Sequence, residues 1–177
     1  MRGMPPRVFT IGHGTRSGDD LVAVLQGAGV QTLVDVRRYP GSRRNPQFNL
    51  EAVAERVTAA GITYVHELEL GGRRSGEPGA ERFRCIASAA FRSYAARMGT
   101  PEWQAAFADA VARPAPCFMC AETLWWRCHR WLIAELLTAR GFEIVHLIRK
   151  DDHLRHRMSD ESEVREGKLY LCGQLVA

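Results

Sequence analysis

The sequence predicts an α/β protein in which a mostly parallel sheet of about five strands carries helices on both faces. Short apolar segments rich in β-branched residues alternate with longer segments whose apolar residues recur every three or four positions. The first pattern is typical of buried strands and the second of amphipathic helices. Because regular alternation of strands and helices produces parallel sheets covered on both faces, we expect a Rossmann-like three-layer sandwich.

Each predicted element has a local signal for its ends. Serine, asparagine or threonine precedes three of the predicted helices and can cap them, and glycine ends three of them. The predicted strands cover residues 8–11, 32–36, 62–66, 116–120 and 143–148. The predicted helices cover residues 17–29, 49–61, 86–98, 100–113 and 125–140.

Two segments lack a regular apolar pattern. Residues 71–79 combine glycine, proline and charge, which is typical of a mobile loop, and loops of this length in a small domain are often functional lids. Residues 151–167 are polar, and we expect them to be partly disordered. Residues 168–172 predict a short edge strand.

The chain has 177 residues, of which 46% are hydrophobic and 25% charged. This is the size of one ordinary globular domain, so we expect a single domain over residues 1–177, with its core in residues 8–148 and a polar extension in residues 151–177. The apolar segments are too short to span a bilayer, and the amino-terminal residues lack the apolar stretch of a secretory signal. The sequence therefore predicts a cytoplasmic protein that does not enter a membrane.

The five cysteines are odd in number and irregularly spaced, which is typical of free thiols in a reducing compartment. Cys117 and Cys120 lie three positions apart in a predicted strand, so their side chains should point to opposite faces. Cys120 with Cys128 and His129 has the chemistry of zinc ligands, but the spacing departs from that of usual zinc sites. We expect no cofactor, with zinc as the less favoured alternative, and we do not expect Cys120 and Cys128 to act as a pair.

Polar residues gather at one edge of the predicted sheet. The carboxyl ends of parallel strands meet at a single edge, and open α/β sheets bind their ligands there. The loops at the opposite edge are short and chemically plain. The residues predicted for a site at the carboxyl edge are Gly12, His13, Thr15, Asp35, Arg37, Arg38, Arg73, Arg74, Cys120, Glu122, Arg127, His129 and Arg130.

The basic residues at this edge indicate an anionic ligand. The formal net charge is +4, and Lys150 and Lys168 are the only lysines. Arg127 and Arg130 fall in the first turns of a predicted helix, where the dipole makes a cation unfavourable by roughly 0.3 to 1 kcal/mol. Either carboxylates pair with these arginines, or helix amides and guanidinium groups bind an anion together, which we favour. The expected anion-binding residues are Gly12, Thr15, Arg37, Arg38, Arg73, Arg74, Arg127, His129 and Arg130.

Four residues at the same edge are candidates for catalysis. Cys120 ends a strand in front of a helix N-terminus, an environment that lowers a thiol pKa and favours a nucleophile, and a buried, inert cysteine is the alternative. Asp35 and Glu122 are candidate acid–base groups because arginine neighbours keep carboxylates ionised, and the alternative is that they brace those arginines. His13 lies between two glycines, which let the backbone approach a ligand closely.

Four separated motifs resemble those of a known family. They are TIGHGTRS at 10–17, DVRRYPGSRRNPQFN at 35–49, LGGRR at 70–74, and CAE at 120–122 with RCHR at 127–130. Over residues 8–148 the chain resembles the family catalogued as domain of unknown function 488. The resemblance implies a small bacterial or archaeal α/β protein whose motifs fall at the predicted edge, and it implies no activity. The sequence departs from the family pattern at Gly14, where a small hydroxyl residue is expected.

The favoured hypothesis is an enzyme, a hydrolase or transferase, that acts on a phosphate-bearing or other anionic substrate such as a nucleotide or nucleic acid. A non-catalytic nucleic-acid-binding module that uses the same edge is the alternative. A third possibility is a structural or partner-binding domain with its arginines paired internally. Asp35, Glu69 and Glu122 favour the enzyme, since acidic groups among the arginines weaken attraction to phosphate.

Overall fold

A computed structural model describes residues 5–177, which contain nine strands and five α-helices. The strands are β1 (Arg7–Gly12), β2 (Thr32–Asp35), β3 (Thr63–His66), β4 (Pro116–Cys120), β5 (Glu143–Arg149), β6 (Asp152–Arg155), β7 (Ser162–Arg165), β8 (Lys168–Leu171) and β9 (Gln174–Leu175). The helices are α1 (Gly18–Gly27), α2 (Leu50–Ala59), α3 (Ala89–Met98), α4 (Pro101–Val111) and α5 (Arg130–Ala139). Single 3₁₀ turns lie at Pro46–Phe48, Leu68–Leu70, Ala80–Arg82 and Trp125–Arg127.

Six strands form the central sheet, in the order β3-β2-β4-β1-β5-β6. The first five run parallel to one another, and β6 runs antiparallel to β5 at the edge. The last three strands form a separate antiparallel sheet in the order β7-β8-β9. The predicted α/β class and the mostly parallel sheet are confirmed, with a sixth strand that the sequence analysis did not predict.

Residues of β1, β2, β4 and β5 alternate between two apolar cores. In β1, Val8 packs into one core, whereas Phe9 and Ile11 pack into the other. Apolar residues of α1 and α2 complete the second core, and those of α3, α4 and α5 complete the first. Helices therefore pack on both faces of the sheet, as predicted. Within residues 5–177, no helix combines the length and the apolar character needed to cross a membrane.

Two of the predicted helix caps are confirmed and the third works differently. Ser17 accepts a hydrogen bond from the Asp20 amide at the start of α1, and Thr100 caps α4 in the same way. Asn49 occupies the cap position of α2, but its Oδ1 atom accepts from the Ser42 amide at 2.7 Å. The Asn49 side chain therefore holds the loop that follows β2 instead of the helix end.

The predicted helix over residues 125–140 starts later than expected. Trp125–Arg127 form a separate 3₁₀ turn, and Cys128 has an extended backbone (φ −139°, ψ 173°) before α5 begins at Arg130. Arg127 therefore lies outside the helix, and the expected opposition between its charge and the helix dipole does not arise. The extended residue turns the chain so that the Cys128 side chain lies beside the end of β4.

The prediction of partial disorder over residues 151–167 is wrong. β6 pairs with β5, and β7 pairs with β8. The strand predicted at 168–172 is also not an edge strand of the main sheet, because β8 is the middle strand of the small sheet. The four residues of β6 are all exposed, so its strand structure rests on backbone pairing and leaves no apolar pattern in the sequence.

Cys85 and Cys172 form a disulfide, so the prediction of five free thiols is wrong for these two residues. They lie 87 residues apart in the sequence, and the bond links the segment before α3 to the end of β8. Sequence spacing cannot reveal a pairing that only the folded chain creates. The free cysteines are Cys117, Cys120 and Cys128.

The strand order creates a crevice at the carboxyl edge. β4 lies between β1 and β2, yet the chain leaves β1 and β2 towards helices on one face and leaves β4 towards α5 on the other. Loops that part to opposite faces open a gap beyond the ends of neighbouring strands, which is where open α/β sheets bind ligands. The ends of these three strands carry most of the predicted site residues.

Candidate functional site

A cleft lies beyond the carboxyl ends of β1, β2 and β4. It has two adjoining parts of about 260 Å³ and about 440 Å³ that share the lining residues Arg37, Tyr39, Arg73, Ala121 and Glu122. The predicted site residues that line it are His13, Thr15, Arg37, Arg38, Arg73, Cys120, Glu122, Arg127 and His129. The predicted residues that do not line it are Gly12, Asp35, Arg74 and Arg130.

Asp35 and Arg37 form a buried ion pair at the end of β2. Arg37 donates from Nε and Nη2 to the two carboxylate oxygens of Asp35, at 2.8 and 2.6 Å. Tyr64 donates its hydroxyl to Asp35 Oδ2 at 2.7 Å, and Arg37 Nη1 donates to the Phe48 carbonyl at 2.6 Å. Burial, with the nearby carboxylate, raises the pKa of Tyr64, so its hydroxyl keeps its proton. The pair joins the ends of β2 and β3 to the turn at Pro46–Phe48.

His13 packs against this ion pair with both ring nitrogens engaged. Its ring stacks on Phe48 with centroids 4.1 Å apart. Nε2 lies 3.2 Å from Arg37 Nη1, and Nδ1 lies 2.9 Å from the Gly14 carbonyl oxygen. Because arginine can only donate, Nε2 accepts and Nδ1 carries the proton that it donates to Gly14. Burial lowers the pKa of His13 to about 4, so the ring is neutral at neutral pH.

Cys120 and Cys128 meet at the guanidinium group of Arg130. Their Sγ atoms lie 3.0 Å apart. Arg130 Nε donates to Cys120 Sγ at 2.9 Å and to Cys128 Sγ at 3.3 Å. The expectation that these thiols do not act as a pair is therefore wrong. The two thiols meet because the backbone of Cys128 is extended, which separates this residue from α5 and directs its side chain towards β4.

Arg130 is 1% exposed and is held by neutral groups on its other side. Nη1 donates to Thr10 Oγ1 at 3.3 Å, and Nη2 donates to the carbonyls of Glu122 and Thr123. Within residues 5–177 no carboxylate forms an ion pair with this guanidinium group. A buried cation is strongly destabilising without an anionic partner. The two sulfurs can provide this partner, because a cysteine that loses its proton becomes a negatively charged thiolate.

The ionisation of the cysteine pair follows from this arrangement. Burial alone raises the pKa of Cys128, but the Cys120 hydrogen bond and the Arg130 guanidinium outweigh it and lower the pKa to about 6. Burial and the hydrogen bond with Cys128 raise the pKa of Cys120. The pair therefore keeps one proton and carries one negative charge at neutral pH, and the lowered pKa of Cys128 favours the thiolate on that sulfur.

His129 lies on the other side of the cysteines, on the wall of the cleft. Its Nε2 atom donates to the Val36 carbonyl at 3.1 Å, which leaves Nδ1 with a lone pair. Burial lowers the pKa of His129 to about 4, so this ring is also neutral at neutral pH. Nδ1 faces Gly72, where an added Cβ atom would approach it to 2.5 Å. Gly72 is therefore needed for the chain that follows the turn at Leu68–Leu70 to pass over His129.

Three arginines give the cleft a positive rim. Arg73 and Arg127 are exposed, Arg38 is half-buried, and none of them forms an ion pair within the described part of the chain. Glu122 is exposed beside them and likewise has no ion-pair partner among residues 5–177. The cleft thus combines free positive charge with one free carboxylate.

Two further predicted residues hold the walls in place. Arg74 is buried and lies within ion-pair distance of Glu69 and Glu77, so its charge is balanced inside the protein. At Gly12, an added Cβ atom would lie 1.9 Å from the Glu122 carbonyl and 2.8 Å from Arg130 Nη2. Gly12 is therefore required for Arg130 to pass beneath the end of β1. Thr15 is exposed in the wall of the larger part.

Cys128, Tyr64 and Tyr39 are candidate functional-site residues that the sequence patterns did not predict. Cys128 lies two positions before Arg130 in the RCHR motif at 127–130, and this proximity could have indicated Cys128 as a site residue. Tyr64 reaches Asp35 only because β3 pairs with β2, and Tyr39 is an exposed residue in the rim shared by both parts. Within residues 5–177, no group of three or more His, Cys, Asp or Glu side chains is arranged to hold a metal ion.

Comparison with known families gives one match. The family described as Domain of unknown function DUF488 matches residues 17–137, a narrower span than the resemblance over residues 8–148. This span includes the Asp35–Arg37 pair and the cysteine pair with Arg130. No curated protein and no solved structure matches the chain significantly. Because the match covers more than half of the 177 residues, the chain belongs to the DUF488 family.

Proposed function

We propose that this protein is an enzyme that binds a small phosphate-bearing or similar anionic substrate in the cleft and attacks it with the Cys128 thiolate. The observation that carries the proposal is the buried Arg130 guanidinium, which contacts both cysteine sulfurs at the base of the cleft. A thiol held beside a buried cation ionises at neutral pH, and the thiolate is the reactive form of cysteine.

The rim provides the anion-binding groups. Arg38, Arg73 and Arg127 are not paired with carboxylates in the described chain, and all three line the part of the cleft that contains the sulfurs. Guanidinium groups bind phosphate and carboxylate oxygens through paired hydrogen bonds. An anion held here lies within the same space as the Cys128 sulfur, so binding also positions it for attack.

The chemistry follows from the groups that face the cleft. The Cys128 sulfur forms a bond to the electrophilic phosphorus or carbon, and the leaving group departs with its electron pair and takes a proton from water. Glu122 then accepts a proton from a second water, whose oxygen displaces the Cys128 thiolate. Glu122 passes this proton to the hydroxide left by the first water, which regenerates the site. Asp35, Arg37 and His13 position the walls and do not take part in these bond changes.

Thermal unfolding in the presence of inorganic phosphate and of a nucleoside monophosphate tests binding. We expect Tm to rise with ligand concentration. At a ligand concentration of 100 times Kd, the free energy of unfolding should increase by about 2.7 kcal/mol. The Arg127→Gln variant should show a much smaller rise, whereas the matched control Arg113→Gln, an exposed arginine at the end of α4, should respond like the natural protein. No rise in the natural protein, or equal rises in both variants, would contradict the proposal.

Turnover of a chromogenic aryl phosphate tests the nucleophile. Cys128→Ser should abolish turnover, while Cys117→Ser should preserve it because Cys117 lies in the core on the opposite face of the sheet. Turnover that survives in Cys128→Ser would show that the cleft acts without this thiolate.

A nucleic-acid-binding surface is the second candidate, because two exposed aromatic residues lie beside the arginines. Tyr39 is 63% exposed and Trp126 is 50% exposed, and exposed rings next to guanidinium groups can stack on bases. Binding of a short single strand that falls steeply with salt and is unchanged in Glu122→Gln would favour this function over the enzyme.

A further inference from the structure

We propose that Cys128 and Cys120 form a two-electron redox centre that reduces small hydroperoxides, with Cys128 as the attacking sulfur and Cys120 as the resolving sulfur. This activity needs no anionic substrate, but it uses the same Cys128 thiolate as the function proposed above. It rests on the geometry of the two sulfurs and on the charge of Arg130.

The two sulfurs are placed to form a disulfide with little movement. They lie 3.0 Å apart, and a disulfide bond is about 2.0 Å long, so a small rotation of either side chain closes the gap. Both residues line the smaller part of the cleft, whose volume of about 260 Å³ admits hydrogen peroxide or a small alkyl hydroperoxide.

Exposure assigns the two roles. Cys128 is half-buried and reaches the cleft, whereas Cys120 is 3% exposed at the end of β4. A hydroperoxide therefore meets the Cys128 sulfur first. Cys120 lies behind that sulfur, in position to attack it after it is oxidised.

Arg130 favours the reduced state of the pair. Its Nε atom donates to both sulfurs, and its remaining donors are held by Thr10, Glu122 and Thr123. A disulfide would carry no negative charge, which would leave the buried guanidinium without an anionic partner. A disulfide that forms at this cost is more readily reduced, so a dithiol can return the pair to its reduced state.

The reaction balances with a hydroperoxide as oxidant. The Cys128 thiolate attacks the terminal peroxide oxygen, the O–O bond breaks, and the alkoxide leaves with the electron pair and takes a proton from solvent to form an alcohol. Cys128 is now a sulfenic acid. The Cys120 sulfur attacks the Cys128 sulfur, and the hydroxyl group leaves as water with the Cys120 proton. Two thiol–disulfide exchanges with an added dithiol restore both cysteines.

Peptide mapping of the natural protein tests the proposal without any variant. The protein is treated with one equivalent of hydrogen peroxide under native conditions, and its disulfides are mapped without reduction. We expect a new Cys120–Cys128 disulfide and consumption of the peroxide. Peroxide that remains unconsumed, or a protein whose Cys120 and Cys128 stay unlinked, would overturn the proposal.

Variants then separate the two roles. Cys120→Ser should stop at a sulfenic acid on Cys128 that a dimedone probe traps. Cys128→Ser should react with peroxide roughly 10- to 100-fold more slowly, because the remaining Cys120 thiol is almost fully buried. Cys117→Ser is the matched control and should behave like the natural protein. Equal peroxide rates in Cys128→Ser and Cys117→Ser would also overturn the proposal. Circular dichroism confirms that each variant is folded.

Discussion

Arg37 and Arg130 are two buried arginines at the same edge of the sheet, and they differ in their partners. Arg37 is 6% exposed and pairs through two hydrogen bonds with Asp35, whose hydrogen bonds also join β3. Arg130 is 1% exposed and contacts the sulfurs of Cys120 and Cys128. The first arrangement joins structural elements, whereas we propose that the second prepares a reactive thiolate.

The difference lies in the chemistry of the partner. A carboxyl group in water is ionised at neutral pH, so Arg37 mainly offsets the cost of burying the negative charge of Asp35. A thiol is mostly protonated at neutral pH, so its ionisation depends on the neighbouring cation. We therefore propose that Arg130 makes Cys128 reactive, whereas Arg37 holds β2, β3 and the turn at Pro46–Phe48 together.

The largest expected effect is on stability at the Arg37 pair. Asp35→Asn leaves the buried Arg37 guanidinium without a counter-charge, and we expect the free energy of unfolding to fall by about 3 to 5 kcal/mol. Urea unfolding measures this value. Asp109→Asn, at an exposed position of α4, is the matched control and should change stability by less than about 0.5 kcal/mol. A loss below about 1 kcal/mol in Asp35→Asn would show that the buried Arg37 does not depend on the Asp35 carboxylate as its counter-charge.

The second effect is a pH dependence of stability that comes from the cysteine pair. The pKa of Cys128 is about 6 in the folded protein and has an ordinary value of 9.0, so the unfolded state binds one more proton in between. Its contribution to stability is therefore present above about pH 9 and is lost as the pH falls towards 6, with a slope of at most about 1.4 kcal/mol per pH unit.

Urea unfolding at several pH values compares the natural protein with Cys120→Ser/Cys128→Ser. The difference in unfolding free energy between the two proteins should decrease as the pH falls from 9 to 6. Parallel pH profiles for the two proteins would show that no thiolate is stabilised at Arg130.

The smallest effect is expected at Tyr64. Tyr64→Phe removes one hydrogen bond to Asp35 Oδ2 but keeps the Arg37 partner of that oxygen, and we expect a loss of about 1.5 kcal/mol in unfolding free energy. The rate of thiol alkylation should be unchanged, since Tyr64 belongs to the Arg37 pair. An altered alkylation rate would mean that the two buried arginines are not independent.

Local sequence patterns were sufficient to predict the five parallel strands and the edge at which the polar residues meet. Ser17 and Thr100 cap their helices as expected, since a cap depends on residues only three positions apart. The placement of His13 and Glu122 around one cleft follows from strand direction, because each lies directly beyond the carboxyl end of a parallel strand.

The missed features depend on contacts between distant parts of the chain. The apolar pattern around Cys128 fits a continuous helix. In the folded chain, Cys128 is extended and separates the 3₁₀ turn from α5, and Arg130 packs beneath Gly12, which lies far away in the sequence. The Cys85–Cys172 bond joins residues 87 positions apart, and β6 is recognisable only through its pairing with β5. The spacing of residues along the sequence does not predict such contacts.

An ultraviolet titration of the thiolate in the natural protein and in Arg130→Met tests whether Arg130 stabilises a thiolate on Cys128. In the natural protein we expect one thiolate to form with a midpoint near pH 6, because Arg130 stabilises the charge on Cys128. In Arg130→Met the midpoint should rise by more than one unit, and alkylation of Cys128 at neutral pH should slow at least about tenfold. A midpoint near the ordinary cysteine pKa in the natural protein, or the same midpoint in both proteins, would show that Arg130 does not stabilise a thiolate on Cys128.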